Sequence, residues 1–442
     1  MEKKSEQLHL IVIGGGLAGL SAAISTRVEG HRVTVLERAP EFNEVGAGLQ
    51  LTPNSTSLLS RWGVLDELRP KAGAPSSLTV RRYDGSKALS HTDGWEEKMQ
   101  SRYGAPFWDM HRADLQTAMV AKARQLGVEI RTGAEVESID TDGVAVTLAG
   151  TKERVQGDVV LAADGLWSRT RDFLFPEQQA KPAPTGDLAY RIILKLEDLQ
   201  DDPELAAWVA NPTVNFWIGA DSHAVGYSVR GGKEFNLVLL CPDDLPEDCP
   251  RAAADVDEMR DRFKGWDPLL QRFLDNVETV DKWRLMHMQS LPTWTHKGGR
   301  FTMAGDSCHP MLPYLAQGAN SAMEDGAVLG RLLGSINNSS KIPDILQAYQ
   351  QLRKARVEKI ANQALKQRWN FHLPDGPLQQ ERDEEMTAKR PRKPEYPSQW
   401  TCPKMQPWLY GYDAIAAADL AIANMNMPMW RRIARMFCLG YF

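Results

Sequence analysis

The chain has 442 residues, 43% of them hydrophobic, which is long enough for two or three structural units around a substantial core. A net charge of −5, with no dense basic stripe, argues against nucleic acid as a partner. The five cysteines lack a CxxC spacing, so we expect no metal site. No apolar run is long enough for us to expect a membrane span. The N-terminus is charged, unlike a secretory signal, so we expect a cytoplasmic location.

The first motif follows a short apolar run from Leu8 to Ile13, which predicts a strand before a helix and a second strand. Gly14, Gly16 and Gly19 satisfy GxGxxG, which allows a tight turn, close approach of a pyrophosphate and close helix packing. Glu37 ends the second strand and can accept a hydrogen bond from a ribose hydroxyl. The pattern predicts dinucleotide binding and leaves two classes open, a nicotinamide dehydrogenase and a flavoprotein.

The middle of the chain changes its pattern. Residues 111–127 predict a helix that is followed by short strands. Between about residues 182 and 283, short apolar and polar runs alternate between turn residues, which predicts an antiparallel sheet inserted into the nucleotide-binding fold. Residues 318–356 are rich in helix formers, the proline-rich and charged stretch 373–398 predicts an exposed loop, and the last 40 or so residues have helical periodicity.

Two later stretches favour a flavoprotein. LAADGLWSRTR places Asp164 and Gly165 after a predicted strand, although DG alone is also a good turn. GDSCHPMLPYLAQGANSAMEDG places Asp306 after another strand, where its carboxylate can bind a ribityl hydroxyl. Gly318 and Ala319 let the next helix begin close to a planar ring, and the helix N-terminus can stabilise the negative charge of a reduced flavin. A dehydrogenase would leave this stretch unexplained.

With these three motifs in this order, the chain resembles the class A FAD-dependent aromatic monooxygenases, the family of para-hydroxybenzoate hydroxylase and salicylate hydroxylase, and especially its fungal members. The resemblance covers about residues 8 to 365. It implies an α/β fold: a Rossmann-type FAD-binding domain, an inserted, mainly antiparallel β-sheet substrate domain and a C-terminal helical segment. The implied boundaries are 1–75, 105–181 and 284–365 for the FAD-binding domain, 76–104 and 182–283 for the substrate domain, and 366–442 for a C-terminal loop and helical extension.

The resemblance also implies the cofactors, FAD with NADH or NADPH as a transient reductant. Arg112 would meet the pyrophosphate, Asp306 would bind the ribityl and pyrophosphate region, and Pro310 with the loop 315–320 would lie along the flavin ring. His309 is expected to be structural rather than catalytic. The full set of implied cofactor-binding residues is Gly14, Gly16, Gly19, Glu37, Arg38, Gly48, Arg112, Val136, Asp164, Asp306, Pro310, Gly318, Ala319 and Asn320.

For the reaction, the resemblance implies hydroxylation of a phenolic or aromatic acid with O₂ and NAD(P)H through a flavin C4a-hydroperoxide. Tyr190 and Arg191 alternate along a predicted strand, so only one of them can face the pocket. Arg191 is the first candidate catalytic residue, because a fixed cation favours the ionised substrate, and Tyr227 is the second, as a hydrogen-bonding partner. Expected pocket-lining residues are Phe216, Trp217 and His223.

Several alternatives stay open at this point. The hydroxylation could be decarboxylative, as with salicylate, or the same flavin chemistry could act on a polyketide or alkaloid ring in fungal secondary metabolism. In a different class, the chain could be a non-catalytic flavin-binding protein. The expected partners are a small aromatic substrate, O₂ and NAD(P)H, and the chain is expected to be a monomer or a homodimer.

Overall fold

The structure, a computed structural model, describes residues 7–42, 47–178, 181–388 and 396–426. Its strands are β1 His9–Ile13, β2 Arg32–Leu36, β3 Gly48–Leu51, β4 Ser77–Arg82, β5 Ala88–Asp93, β6 Trp108–His111, β7 Glu129–Arg131, β8 Val136–Asp140, β9 Ala145–Leu148, β10 Arg154–Gln156, β11 Val159–Ala162, β12 Ala183–Lys195, β13 Val214–Gly219, β14 Ser222–Val229, β15 Glu234–Pro242, β16 Arg251–Ala254, β17 Val280–His287 and β18 Phe301–Met303. Its helices are α1 Leu17–Val28, α2 Pro53–Arg61, α3 Leu65–Leu68, α4 Trp95–Tyr103, α5 Arg112–Gln125, α6 Arg169–Leu174, α7 Pro203–Ala210, α8 Val256–Arg262, α9 Pro268–Asp275, α10 Gly318–Leu333, α11 Ile342–Phe371, α12 Pro377–Thr387, α13 Met405–Tyr410 and α14 Ala414–Met425.

The first sheet is parallel, with the strand order β18-β11-β1-β2-β7. Its central strand β1 is buried along its whole length, as its apolar sequence requires. The carboxyl ends of parallel strands share one edge of the sheet, so the segments that follow β1, β2, β11 and β18 come together there. These segments carry Gly14, Glu37, Asp164 and Asp306, and the Rossmann-type fold is confirmed.

Helices α1 and α10 pack closely on this sheet. An added Cβ on Gly326 of α10 would lie 2.4 Å from the backbone nitrogen of Ala22 in α1, and one on Gly330 would lie 2.4 Å from Oγ of Ser25. The two glycines therefore let the helix backbones approach each other. This contact fixes the start of α10 relative to the glycine turn at the start of α1.

The second large sheet has eight strands in the order β16-β17-β12-β15-β14-β13-β4-β5. All of its pairs are antiparallel except β13 with β4, which confirms the mainly antiparallel sheet. Side chains alternate along β12: Leu188 and Tyr190 enter the core beneath helices α7 to α9, whereas Ala189 belongs to the core on the opposite face. Smaller sheets are formed by β10-β9-β8 and by β3-β6.

The predicted loop 373–398 is wrong over part of its length. Residues 377–387 form α12, which begins with Pro377 at the first helical position, where proline is well tolerated. Arg382 and Asp383 are buried, and Arg382 Nε donates to Asp383 Oδ1 at 2.7 Å. The prediction rested on proline and charge content, and a pairing between two buried residues of one helix leaves no pattern in composition.

The C-terminal helices α13 and α14 confirm a helical segment after the second large sheet. The expected boundary after residue 365 falls inside α11, which continues to Phe371. Arg331 Nε of α10 donates to Asp419 Oδ1 of α14 at 2.6 Å, so this segment is attached to the helix that follows the Asp306 loop. Residues 427–442, part of the predicted extension, lie outside the described residues. Within the described ranges, every helix is too short or too polar to cross a membrane.

Candidate active site

The glycine turn has the geometry that the GxGxxG motif predicts. Gly14 has a φ of +104°, and an added Cβ would lie only 2.3 Å from the carbonyl oxygen of Ala163. An added Cβ on Gly19 would lie 2.0 Å from the carbonyl oxygen of Gly14. Around Gly16, in contrast, no atom of the described residues lies within 4 Å of such a Cβ. The space in front of the α1 N-terminus is therefore open at Gly16, as binding of a pyrophosphate requires.

Glu37 lies beside this turn. Its Oε2 accepts a hydrogen bond from Gly15 N at 2.7 Å, and its Oε1 accepts one from Ala39 N at 2.7 Å. Each carboxylate oxygen has a second lone pair, so Glu37 can still accept from ribose hydroxyls. Arg38 is exposed, and Ala134 N donates to Glu37 O at 2.8 Å, which brings the segment before Val136 to the same edge.

A cavity of about 310 Å³ lies between the parallel sheet and the eight-stranded sheet. On one side it is lined by residues expected to hold the cofactor, and on the other by residues expected to meet the substrate. The predicted site residues that line it are Gly16, Gly48, Arg112, Asp306, Gly318, Ala319, Arg191 and Tyr227.

Asp306 follows β18 and is exposed to this cavity. Its carboxylate accepts no hydrogen bond from the described residues, which leaves both oxygens available to ligand hydroxyls. Burial among protein atoms raises the pKa of Asp306 above its usual range, while His309 and Arg112 lower it. An acceptor without a protein donor, beside the open start of α10, fits the hydroxyl groups of a ribityl chain.

Arg191, rather than Tyr190, faces the cavity. Tyr190 lies on the opposite face of β12, where its hydroxyl donates to Glu258 Oε1 at 3.1 Å. The guanidinium carbon of Arg191 lies 5.0 Å from the centre of the Trp283 ring. Among the described residues no carboxylate pairs with Arg191, and burial, followed by the charge of Arg112, lowers its pKa.

Tyr227 enters the cavity from β14, two strands away from Arg191. An added Cβ on Gly48 would lie 2.7 Å from Cε2 of Tyr227, so the absent side chain at Gly48 makes room for the phenol. The hydroxyl of Tyr227 has no hydrogen-bond partner within the described part of the chain. Burial, with a smaller effect from Asp109, raises the pKa of Tyr227, so its hydroxyl stays protonated and can donate.

Two predicted cofactor residues make their hydrogen bonds within the protein. Asp164 accepts from Ser168 Oγ at 2.5 Å and from Thr170 N at 3.0 Å, and so shapes the turn whose Gly165 lines the cavity. Asn320 is fully buried; its Oδ1 accepts from Thr52 N at 3.0 Å, which joins α10 to the segment after β3. Both residues hold the walls of the cavity.

Two other predicted residues do not reach this cavity. Pro310 lines a separate cavity, whose wall also includes Trp294. Pro313, rather than Pro310, lines the main cavity. Trp217 lies on the opposite face of the large sheet, where its Nε1 donates to Asp267 Oδ2 at 2.7 Å. Strand alternation explains Trp217, because its neighbour Phe216 faces the cavity.

A buried ionic cluster supports the loop after β18. Gly305 N donates to Asp325 Oδ2 at 2.9 Å, and Arg353 Nε donates to Asp325 Oδ1 at 2.7 Å. Arg353 also pairs with Glu324 at 2.7 Å, and His309 Nε2 contacts Asp325. His309 points to this cluster, as its predicted structural role requires, and the cluster holds the peptide that carries Asp306.

Sequence reasoning missed several residues of the cavity wall, including three polar or aromatic ones. Gln50, Tyr314 and Trp400 line it, and Trp400 Nε1 donates to the carbonyl oxygen of Tyr314 at 3.1 Å. Trp400 lies 86 residues after its partner, beyond the predicted loop. Only the folded chain brings these segments together, so no local pattern could have indicated them.

Comparison with known proteins agrees with this geometry. The FAD binding domain family matches residues 7–364. The chain belongs to this family and is a class A FAD-dependent aromatic monooxygenase.

Individual relatives cover almost the whole chain. The chain is 78% identical over 422 residues to the FAD-dependent monooxygenase OpS4 of Beauveria bassiana (strain ARSEF 2860), covering 96% of this chain and 99% of that protein. It is 32% identical to 3-hydroxybenzoate 6-hydroxylase of Polaromonas naphthalenivorans (strain CJ2), over 81% of this chain and 87% of that one. The structure of a salicylate hydroxylase substrate complex superposes with a TM-score of 0.75 at 24% identity, covering 94% of this chain and 98% of that chain, which shows the shared fold.

Proposed function

We propose that this monooxygenase hydroxylates a small anionic aromatic compound, a phenolic acid, with NAD(P)H and O₂ as co-substrates. The observation that carries the proposal is Arg191, a cavity-lining cation with no carboxylate partner among the described residues. A guanidinium stays charged even where burial lowers its pKa. Inside a cavity of low dielectric, such a charge is stabilised by an anionic ligand.

The surrounding wall supports a planar, largely apolar substrate. Phe216, Val225, Leu240, Leu285 and Trp400 line the part of the cavity formed by the eight-stranded sheet and the C-terminal segment. Such a wall excludes water and packs against an aromatic ring that lies between it and the opposite wall of the cavity. The polar groups of Arg191 and Tyr227 would then set the orientation of the ring.

The residues at the opposite wall fit FAD. The open space at Gly16, the acceptor Glu37 and the unpartnered carboxylate of Asp306 would hold its pyrophosphate, ribose and ribityl groups in turn. Bound FAD supplies the redox chemistry that takes a hydride from NAD(P)H and inserts one oxygen atom of O₂ into the substrate. The N-terminus of α10, at Gly318 and Ala319, would stabilise negative charge on the ring.

The names of the relatives agree with a carboxylated aromatic substrate. Besides the 3-hydroxybenzoate 6-hydroxylase, a 3-amino-4-hydroxybenzoate 2-monooxygenase of Streptomyces platensis is 33% identical over 92% of this chain. We propose that hydroxylation is accompanied by loss of CO₂ where the oxygen enters at the carbon that bears the carboxylate. Product analysis decides this point for each substrate.

The test is the oxidation of NADH and of NADPH by FAD-loaded enzyme, with salicylate, 3-hydroxybenzoate, 4-hydroxybenzoate and the neutral phenol orcinol. We expect at least one carboxylated phenol to stimulate oxidation more than orcinol and to be converted to a hydroxylated product. Stimulation by orcinol alone would contradict an anionic substrate. Bound FAD without stimulation by any of the three carboxylated phenols would also contradict it.

A further inference from the structure

Two histidines from distant parts of the chain form a buried pair behind the substrate cavity. His223 lies on β14 and lines the cavity, whereas His372 follows α11 and is only 5% exposed. Nδ1 of His223 and Nε2 of His372 are 2.7 Å apart, so the two rings share a hydrogen bond. A bond between two ring nitrogens contains one proton, which belongs to one ring or the other.

Both rings are neutral near pH 7. Burial lowers the pKa of His223 well below its usual value, with smaller effects from His372 and Arg368. Burial also lowers the pKa of His372 to about 4. A neutral imidazole carries one N–H, so the position of the shared proton determines which remaining nitrogen can donate.

The two remaining nitrogens lie in different surroundings. Nδ1 of His372 is buried and has no hydrogen-bond partner among the described residues. Asp187 is the nearby carboxylate; its oxygens accept from Arg368 and from the hydroxyl of Tyr314, and neither oxygen forms a hydrogen bond with His372. Nε2 of His223 makes no hydrogen bond within the described residues and is not sealed by the protein, so it is open to the cavity that His223 lines.

We infer that His372 carries its proton on Nε2 and donates it to Nδ1 of His223, so that His223 presents Nε2–H to the cavity as a hydrogen-bond donor. The opposite arrangement would place an N–H on Nδ1 of His372, where no acceptor in the described ranges receives it, and buried N–H groups without acceptors are rare and costly. His372 is then a positioning residue that fixes the tautomer and the ring orientation of His223.

This inference rests on the proposed anionic substrate and deepens it. With Arg191 and Tyr227, His223 becomes a third donor on the same cavity. Three donors fit a substrate with two oxygen-bearing groups, a carboxylate and a phenolic oxygen, better than a neutral ring. His223 would bind the substrate oxygen rather than remove its proton.

The tautomer is measured directly by NMR of FAD-loaded enzyme with ¹⁵N-labelled histidine rings, assigned with His223→Gln and His372→Gln. We expect His223 without substrate to have a bare Nδ1 and a protonated Nε2. A protonated Nδ1 with a bare Nε2 would overturn the inference. Since this measurement needs no substrate, it tests the tautomer of His223 even if the proposed function is wrong.

Substitutions separate a donor from a base. His223→Gln retains a hydrogen-bond donor, so we expect its affinity for the phenolic acid to stay within about threefold of wild type and its kcat within about tenfold. His223→Leu has no donor, so its affinity for the same compound should fall about tenfold. A kcat that collapses in His223→Gln while affinity is kept would show a base and overturn the inference. His372→Leu should weaken affinity about tenfold and His372→Gln should restore it; equal effects of these two variants would contradict the positioning role.

Discussion

Arg191 and Trp283 lie on the paired strands β12 and β17, with the guanidinium carbon 5.0 Å from the ring centre. The ring limits the rotation of the guanidinium and leaves it facing the cavity. The same ring is contacted by Arg251, at 4.3 Å, but Arg251 also pairs with Asp281 at 2.7 Å and does not line the cavity. Two arginines thus share one aromatic partner, and only one of them is available to a ligand.

Arg191→Gln should weaken the binding of a phenolic acid about tenfold or more, because a charge-assisted hydrogen bond is lost. Bound FAD should remain, and affinity for neutral orcinol should change less. The measurement is titration of the flavin absorbance with each compound. Arg251→Gln is the matched control and should leave affinity unchanged; loss of FAD in Arg191→Gln would instead indicate a structural role.

Gly16→Ala and Gly19→Ala should have different effects, the first on FAD affinity and the second on the stability of the fold. Around Gly16 an added methyl meets no atom in the part of the chain that the structure describes, so the FAD-free protein should keep its melting temperature while FAD affinity falls. At Gly19 the methyl would lie 2.0 Å from a backbone carbonyl, so the fold itself should lose stability. Thermal melts of the FAD-free proteins and flavin fluorescence titrations measure the two effects. Equal loss of stability in both variants would contradict the open site at Gly16.

Asp306→Ala should raise the dissociation constant of FAD about tenfold, because an acceptor for cofactor hydroxyls is removed. Fluorescence of released flavin on dilution measures this change. Asp172→Asn, an exposed carboxylate with 66% of its side chain accessible, is the control and should retain FAD. A fully yellow Asp306→Ala protein with unchanged affinity would remove Asp306 from the cofactor site.

The buried histidine pair should make stability depend on pH. The pKa of His372 is about 4 in the folded chain and about 6.5 when unfolded, so the unfolded chain binds more protons between these values. The contribution of His372 to the free energy of unfolding is therefore fully present above about pH 6.5 and is lost as pH falls towards 4. At pH 5 this loss is about 2 kcal/mol.

The charged groups acting on this histidine are Asp187, which raises its pKa, and Arg368, which lowers it. His372→Gln should lose less stability than wild type between pH 7.5 and pH 5, as measured by thermal melts of FAD-loaded enzyme. Exposed His287 gives the control, and His287→Gln should follow wild type. A parallel loss in wild type and His372→Gln would show that His372 is not the group that titrates.

Local patterns predicted the parts of this site that are encoded locally. The turn at Gly14, the helix after it and the carboxylates after parallel strands depend on short motifs. Alternation along β12 correctly predicted that Tyr190 and Arg191 face opposite sides, and the fold shows which of them faces the cavity. The His223 and His372 pair, 149 residues apart, has no local signature and depends on where α11 ends.

The error at residues 377–387 has the same origin. Proline and charge are typical of a loop, yet Pro377 begins α12 and Asp383 is buried beside Arg382 and 3.8 Å from Arg82 of β4. Long-range pairing of charges overrides composition here. A motif also cannot distinguish Pro310 from Pro313, which are three residues apart. The path of the folded backbone decides which of them reaches the cavity.

The most direct test of the proposed function is the mass of the product formed from a phenolic acid, NAD(P)H and ¹⁸O₂. Hydroxylation by a flavin monooxygenase predicts one ¹⁸O atom in the aromatic product and none from ¹⁸O-labelled water. Oxidation of NAD(P)H that yields only hydrogen peroxide, with no labelled product from any phenolic acid, would contradict it.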